Sequence, residues 1–129
     1  MIAVDTSVFV AMAAEEPGAD MLVRVLALSE APLMSAGNYL ECGMVAESRF
    51  GGRAELDDWV RRRRITVVPV DHDMAAAAID AFRQFGKGRH RAGLNYGDCF
   101  AYALARTRSI PLLFKGDDFA RTDVLAAHS

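Results

Sequence analysis

Apolar positions along the chain fall into short runs that alternate with longer stretches of helical periodicity. Ile2-Ala3-Val4 reads as a short strand, and Thr6 to Ala14 as a helix that Glu16-Pro17-Gly18 ends. Ala19 to Leu28 places Met21, Leu22, Val25, Leu26 and Leu28 at helical spacing. Pro32 to Ser35 is a second strand, and a helix from about Ala36 to Phe50 stops at Gly51-Gly52. Glu55 to Arg64 is an amphipathic helix with Leu56, Trp59 and Val60 on one side. Ile65 to Val70 is rich in β-branched residues and reads as a strand. Asp71 or Asp73 can cap the next helix, which runs to about Phe85. Gly86 to Leu94 is a polar, glycine-containing loop. Asn95 caps an apolar helix through Ala105, and Ile110 to Phe114 is the last strand; the tail from Gly116 is mixed.

Strands separated by helices predict a mostly parallel sheet covered on both faces, a three-layer α/β/α sandwich. The 129 residues suit one domain with one core, spanning 1–129. In such sheets ligands bind beyond the carboxyl ends of the strands. Acidic residues just after strands are therefore the ones that matter.

Four carboxylates meet that test. Asp5 follows the first strand, Glu41 lies in the helix after the second, Asp98 in the first turn of the Asn95 helix, and Asp117 after the last strand. Each alone has an ordinary role. Asp5 can cap its helix, Asp98 occupies a position where a carboxylate favours the helix dipole, and Asp117 and Asp118 can be loop acids. Glu41 is harder to place, because Tyr39, Leu40, Cys42, Met44 and Val45 surround it and a charge amid apolar residues needs compensation. Converging carboxylates repel one another, and a divalent cation removes the repulsion. Oxygen ligands suit Mg²⁺ or Mn²⁺ rather than zinc, and such an ion supports phosphodiester hydrolysis.

Composition narrows the classes. Just over half the residues are apolar, so disorder is excluded, and a formal net charge of −2 gives no overall nucleic-acid signal. Any such signal is local. Lys87, Arg89 and Arg91 form a basic loop just before Asp98, either a solvated connection or an RNA contact; Arg61 to Arg64 read as a solvated helix end. Cys42 and Cys99 each sit in an apolar helical pattern without a CxxC pair, so buried free thiols are expected. His72, His90 and His128 share no ligand spacing. There is no leader-like start and no run of the ~18 apolar residues that a membrane span needs, so the chain reads as cytoplasmic. Trp59 and Phe82 are expected in the core or an interface.

Four segments together resemble PIN-domain ribonucleases, in particular the VapC toxins of VapBC toxin–antitoxin pairs. They are the opening Ile2-Ala3-Val4-Asp5-Thr6-Ser7, the Tyr39-Leu40-Glu41 segment, the run from Gly86 to Cys99, and Leu112-Leu113-Phe114-Lys115-Gly116-Asp117-Asp118-Phe119. The resemblance implies a PIN-like sandwich, an Mg²⁺-dependent endoribonuclease in which Mn²⁺ can substitute, and Asp5, Glu41 and Asp98 as the acidic triad. Asp117 carries over as the fourth acid, with Asp118 adjacent, and Ser7 as the hydroxyl supporting Asp5. Asp5 and Asp98 would ligate the metal. A VapB-like antitoxin and a homodimer are also implied. The apolar helix surface around Val23, Leu26 and Trp59 is a candidate groove for the antitoxin. Two other readings differ in class. A receiver-type phosphoacceptor domain would share the alternation and use Lys115, but it wants adjacent acids where Asp5 stands alone. A catalytically inactive PIN-like module that only binds RNA is the other.

Overall fold

The computed structural model describes residues 1–128, and its elements follow the apolar pattern closely. Strand β1 (Ile2–Val4) leads into helix α1 (Thr6–Ala13), then α2 (Ala19–Leu28), β2 (Pro32–Ser35), α3 (Ala36–Arg49), α4 (Arg53–Arg62), β3 (Thr66–Val68), α5 (His72–Phe85), α6 (Tyr96–Arg108) and β4 (Leu112–Leu113). A short 3₁₀ turn, Phe119–Arg121, follows.

All strand pairings are parallel, in the order β3-β2-β1-β4. Successive strand residues face opposite sides, and this divides the interior in two. Ala3, Leu33, Val68 and Leu112 pack beneath α5 and α6, with Phe85, Leu94, Tyr102 and Leu104. Ile2, Val4, Met34 and Leu113 pack with Val8, Phe9, Leu22, Leu26, Cys42 and Leu56 from α1 to α4. The three-layer sandwich is thus written in the alternation of strands two to four residues long. Both cysteines are buried free thiols.

β3 is shorter than the run Ile65 to Val70, because Pro69 has no N–H to continue the ladder. β4 is shorter than Ile110 to Phe114, and its Leu112 also bridges to Ala126 in the tail. α6 runs three residues past Ala105 and ends at Ser109, whose φ of 53° is left-handed. Leu26, expected in a surface groove, is instead core: it is buried beside Leu22.

β1 is central, and the connection to β2 leaves it on one side while β4 pairs on the other. The carboxyl end of β1 is the point where strand order reverses, the place where parallel sheets leave a crevice. Asp5 is the residue there.

Candidate active site

Asp5 is 3% exposed and serves as the N-cap of α1, its Oδ2 accepting from the Ser7 N–H at 2.9 Å. Its own N–H donates to the Leu113 carbonyl, and the Lys115 N–H donates to Ser7 Oγ at 2.9 Å. The ends of β1 and β4 are therefore stitched around this one carboxylate. The other oxygen, Oδ1, is buried without a hydrogen-bond partner. Burial, opposed by the Ser7 bonds and assisted by the charges of Asp98 and Glu41, pushes the Asp5 carboxyl up to about 7.

Asp98 lies in the first turn of α6 and closes a reciprocal capping box. Its N–H donates to Asn95 Oδ1 at 2.9 Å, and its Oδ2 accepts from the Asn95 N–H at 3.0 Å. It is half-buried. Desolvation, with the charges of Asp118 and Glu41, raises its carboxyl to about 6 despite the Asn95 bond.

Glu41 is half-buried on α3. Its flanking apolar neighbours Leu40 and Met44 are exposed rather than packed around it, so burial among apolar side chains is not what sets it apart. Its carboxylate lies over Gly97: a Cβ there would sit 2.3 Å from Glu41 Oε2. Only glycine allows this approach.

The fold thus brings Asp5, Glu41 and Asp98 into mutual electrostatic reach from three different helices. Of the two acids after β4, Asp118 is the one whose charge Asp98 feels. Asp117, the acid singled out from the sequence, and Asp118 are both exposed. Ser7 stands beside Asp5, as expected from the sequence. Lys115 Nζ pairs with Glu16 Oε1 at 2.8 Å.

The basic loop is ordered by its own backbone. Lys87 N–H bonds Leu94 O, Leu94 N–H bonds Phe85 O, and the Arg89 and His90 N–H groups converge on Gly86 O. Lys87, Arg89 and Arg91 are exposed on it. Arg89 rests over the Phe82 ring at 5.6 Å. Arg121 from the 3₁₀ turn donates to Arg91 O, which ties the loop to the segment carrying Asp118. Arg61 and Arg62 pair with Asp58 at the end of α4, as a solvated helix end does.

Sequence reasoning missed Asn38, Thr6, Gly97 and Arg121. Asn38 had a legible signal: a polar residue in an apolar helix, three positions before Glu41 and hence on the same face.

Among the described residues no three His, Cys, Asp or Glu side chains form a closed metal cage. The donor set nevertheless fits a hard divalent cation. It is all oxygen, and it includes a fully buried carboxylate oxygen with nothing bonded to it.

A profile of the PIN domain matches residues 2–125. The chain belongs to the PIN-domain family. It is 53% identical over 127 residues to a ribonuclease VapC of Mycolicibacterium smegmatis, covering 97% of this chain and 98% of that one. It is 50% identical over 123 residues to ribonuclease VapC30 of Mycobacterium tuberculosis, covering 94% of each. With such relatives the chain is a nuclease of the VapC kind. In fold it is similar to VapC20 of Mycobacterium tuberculosis, a sarcin-ricin loop cleaving toxin, at a TM-score of 0.78, 20% identity and full coverage of both chains. It is likewise similar to VapBC2 of Rickettsia felis bound to promoter DNA, at a TM-score of 0.74 and 13% identity, over 98% of this chain and 96% of that one.

Proposed function

We propose that this PIN-domain nuclease is an Mg²⁺-dependent endoribonuclease that hydrolyses RNA phosphodiester bonds as the toxin of a toxin–antitoxin pair in the cytoplasm, with Mn²⁺ able to substitute. The observation that carries the reading is the unpartnered, buried Asp5 Oδ1 at the sheet's switch point, with Asp98 and Glu41 charges around it.

Asp5 and Asp98 are the metal ligands in this reading. Each commits one carboxylate oxygen to a helix N-terminus, and the other oxygen of Asp5 is buried without a partner. A bound divalent cation would offset the repulsion among the acids and the charge on the scissile phosphate, and would favour ionised water. Glu41 and the acid after β4 flank the two ligands; Asp117 has the resemblance behind it and Asp118 the coupling to Asp98. Ser7 holds Asp5 through its backbone N–H, and its hydroxyl accepts from the Lys115 N–H just past β4. Lys87, Arg89 and Arg91 hold the RNA backbone, which an acidic edge alone would repel.

Two surfaces suit partners. A depression of about 690 Å³ between α1, α2 and α4 is lined by Phe9, Met12, Val23, Phe50 and Trp59 and rimmed by Glu15, Glu16, Glu55 and Asp58. Arg62 and Arg63 also line it, so the rim is of mixed charge, and its apolar floor suits an amphipathic antitoxin segment. The exposed Leu40, Met44, Ile79, Phe82 and Tyr96 suit a second copy, which makes a homodimer. The receiver reading is weakened at its lysine, because the Lys115 ammonium is paired with Glu16.

The test is to incubate purified protein with total RNA and Mg²⁺ and to map new 5′ ends. Cleavage that EDTA stops and Asp98→Asn abolishes supports the reading. Full activity in Asp98→Asn refutes it.

A further inference from the structure

We propose that Asn38 is a positioning residue for the three acids, its carboxamide setting their spacing by tying the first turns of α1 and α6 to α3. The proposal rests on the nuclease reading above.

Asn38 is wholly buried, in the first turn of α3. Its Nδ2 donates twice, to Thr6 Oγ1 at 3.1 Å and to the Gly97 carbonyl at 3.0 Å. Thr6 directly follows Asp5, and Gly97 directly precedes Asp98. Glu41 is three residues further along the helix from Asn38, on the same face. One amide nitrogen therefore joins the backbone neighbours of two acids to the helix that carries the third.

The orientation of the amide is fixed, because the Gly97 carbonyl can only accept and so must face the nitrogen. Its own Oδ1 is left buried without a partner. An apolar residue of similar size would fill this position without a desolvated carbonyl. The half-satisfied amide is thus unfavourable for packing alone and is explained by what its two donors hold.

α3 meets α6 at Gly97 in two ways. Asn38 grips the carbonyl, and the Glu41 carboxylate lies where a Cβ would be. A slip of α6 along α3 would move Asp98 away from Asp5 and close the space that Glu41 occupies. The amide prevents that slip, without touching substrate or metal.

The test uses the full chain and two variants, Asn38→Ala and Thr6→Val. Mn²⁺ affinity is measured by titration calorimetry, and kcat and KM by cleavage of an RNA substrate well below the melting temperature. Asn38→Ala is expected to weaken Mn²⁺ binding by about tenfold and lower kcat by about 10- to 100-fold, the range seen when a group orienting a ligand is removed. KM for RNA should stay within about twofold, since the cations that face the RNA are untouched. Thr6→Val keeps the Gly97 bond and should weaken Mn²⁺ binding by about threefold, a fraction of that loss. An Asn38→Ala protein with unchanged Mn²⁺ affinity and kcat overturns the proposal, even if it melts earlier. If Asn38→Ala does not fold, unchanged Mn²⁺ affinity in Thr6→Val overturns it. A wild-type chain that neither binds Mn²⁺ nor cleaves RNA sinks the nuclease reading, and this proposal with it.

Discussion

Asp5 and Asp98, at two corners of the site, each give one carboxylate oxygen to a helix N-terminus: Asp5 caps α1, and Asp98 accepts from the N–H of Asn95, the cap of α6. They differ in surroundings. Asp5 is buried where the ends of β1 and β4 meet, whereas Asp98 is half-exposed and feels the charge of Asp118. The dry corner is where the fold carries an electrostatic cost, and in the proposed reading the wet corner is where RNA approaches. In that reading a helix-end role and a catalytic role are not rivals. The cap fixes the carboxylate's rotamer so that the second oxygen needs no reordering when a ligand arrives.

The contrast breaks most sharply under neutralisation. Asp5→Asn keeps an oxygen for the Ser7 N–H and removes the buried charge. In metal-free protein at pH 8 it should raise stability. The ceiling is about 4 kcal/mol, the value of the difference between 3.8 and about 7 for the carboxyl. Asp98→Asn should gain under about 1 kcal/mol, because its exposed side is screened by solvent. Both variants should lose nearly all cleavage, and the double variant should be little worse than either. Thermal melts with EDTA check the first part; equal gains in the two variants would erase the distinction between the corners.

The same difference sets a pH dependence. An acid whose carboxyl is raised in the folded state holds its proton there while the unfolded chain has released it. Stability then falls as pH rises through that interval. For Asp5 the interval runs from 3.8 to about 7, and for Asp98 from 3.8 to about 6. Metal-free protein should therefore melt at a higher temperature at pH 5.5 than at pH 8, and Asp5→Asn should remove most of that slope. Cation affinity should move the other way, rising across pH 6–7 as both acids ionise. A wild-type melting temperature that rises between pH 5.5 and 8 in EDTA would contradict the burial of Asp5.

Between the two corners sits Gly97. Gly97→Ala would place a Cβ 2.3 Å from Glu41 Oε2, and the Glu41 side chain can swing aside to make room. Alanine is the better helix former by about 1 kcal/mol, so the variant should be as stable as wild type or slightly more. Its kcat should fall by about tenfold or more, because Glu41 is displaced from its place beside Asp5 and Asp98. Stability and activity moving in opposite directions distinguishes displacement of Glu41 from general damage, and unchanged kcat would show that Glu41 acts from elsewhere.

Much of the architecture was legible because the strands are short and β1, β2 and β4 are fully buried, so their apolar runs and bounding breakers stand out. α2 and β2 lie at the predicted residues, and the Asn95 cap starts α6 where the pattern put it. Strand ends were less legible, since pairing partners decide how far a ladder runs: Pro69 truncates β3, and β4 keeps two residues. At the site, position relative to the strands pointed to Asp5, Glu41, Asp98 and Asp117, and the resemblance singled out the first three as a triad. What sequence alone hid was contact. Asn38 bonding across 59 residues to Gly97, and Asp118 rather than Asp117 coupling to Asp98, depend on side-chain direction that no spacing rule encodes.

The smallest effect concerns the approach to the wet corner. Lys87, Arg89 and Arg91 project from a loop tied down by its own backbone bonds, and Arg121 anchors that loop to the Asp118 segment. Replacing all three with alanine removes no backbone bond, so melting should shift within the range of about 0.5 kcal/mol usual for surface charges. RNA binding should weaken, and its salt dependence should flatten by roughly one unit for each cation that had neutralised a phosphate. KM should rise more than kcat falls, because the acids are untouched. Arg89 also stacks on Phe82, so Arg89→Ala alone should give the least of the three single effects on the salt slope. Salt-dependent binding of a labelled RNA to an Asp98→Asn background separates binding from cleavage. An unchanged slope in the triple variant would mean that RNA does not enter past Asp98, and Arg63 and Arg64 beyond α4 would be the next cations to replace.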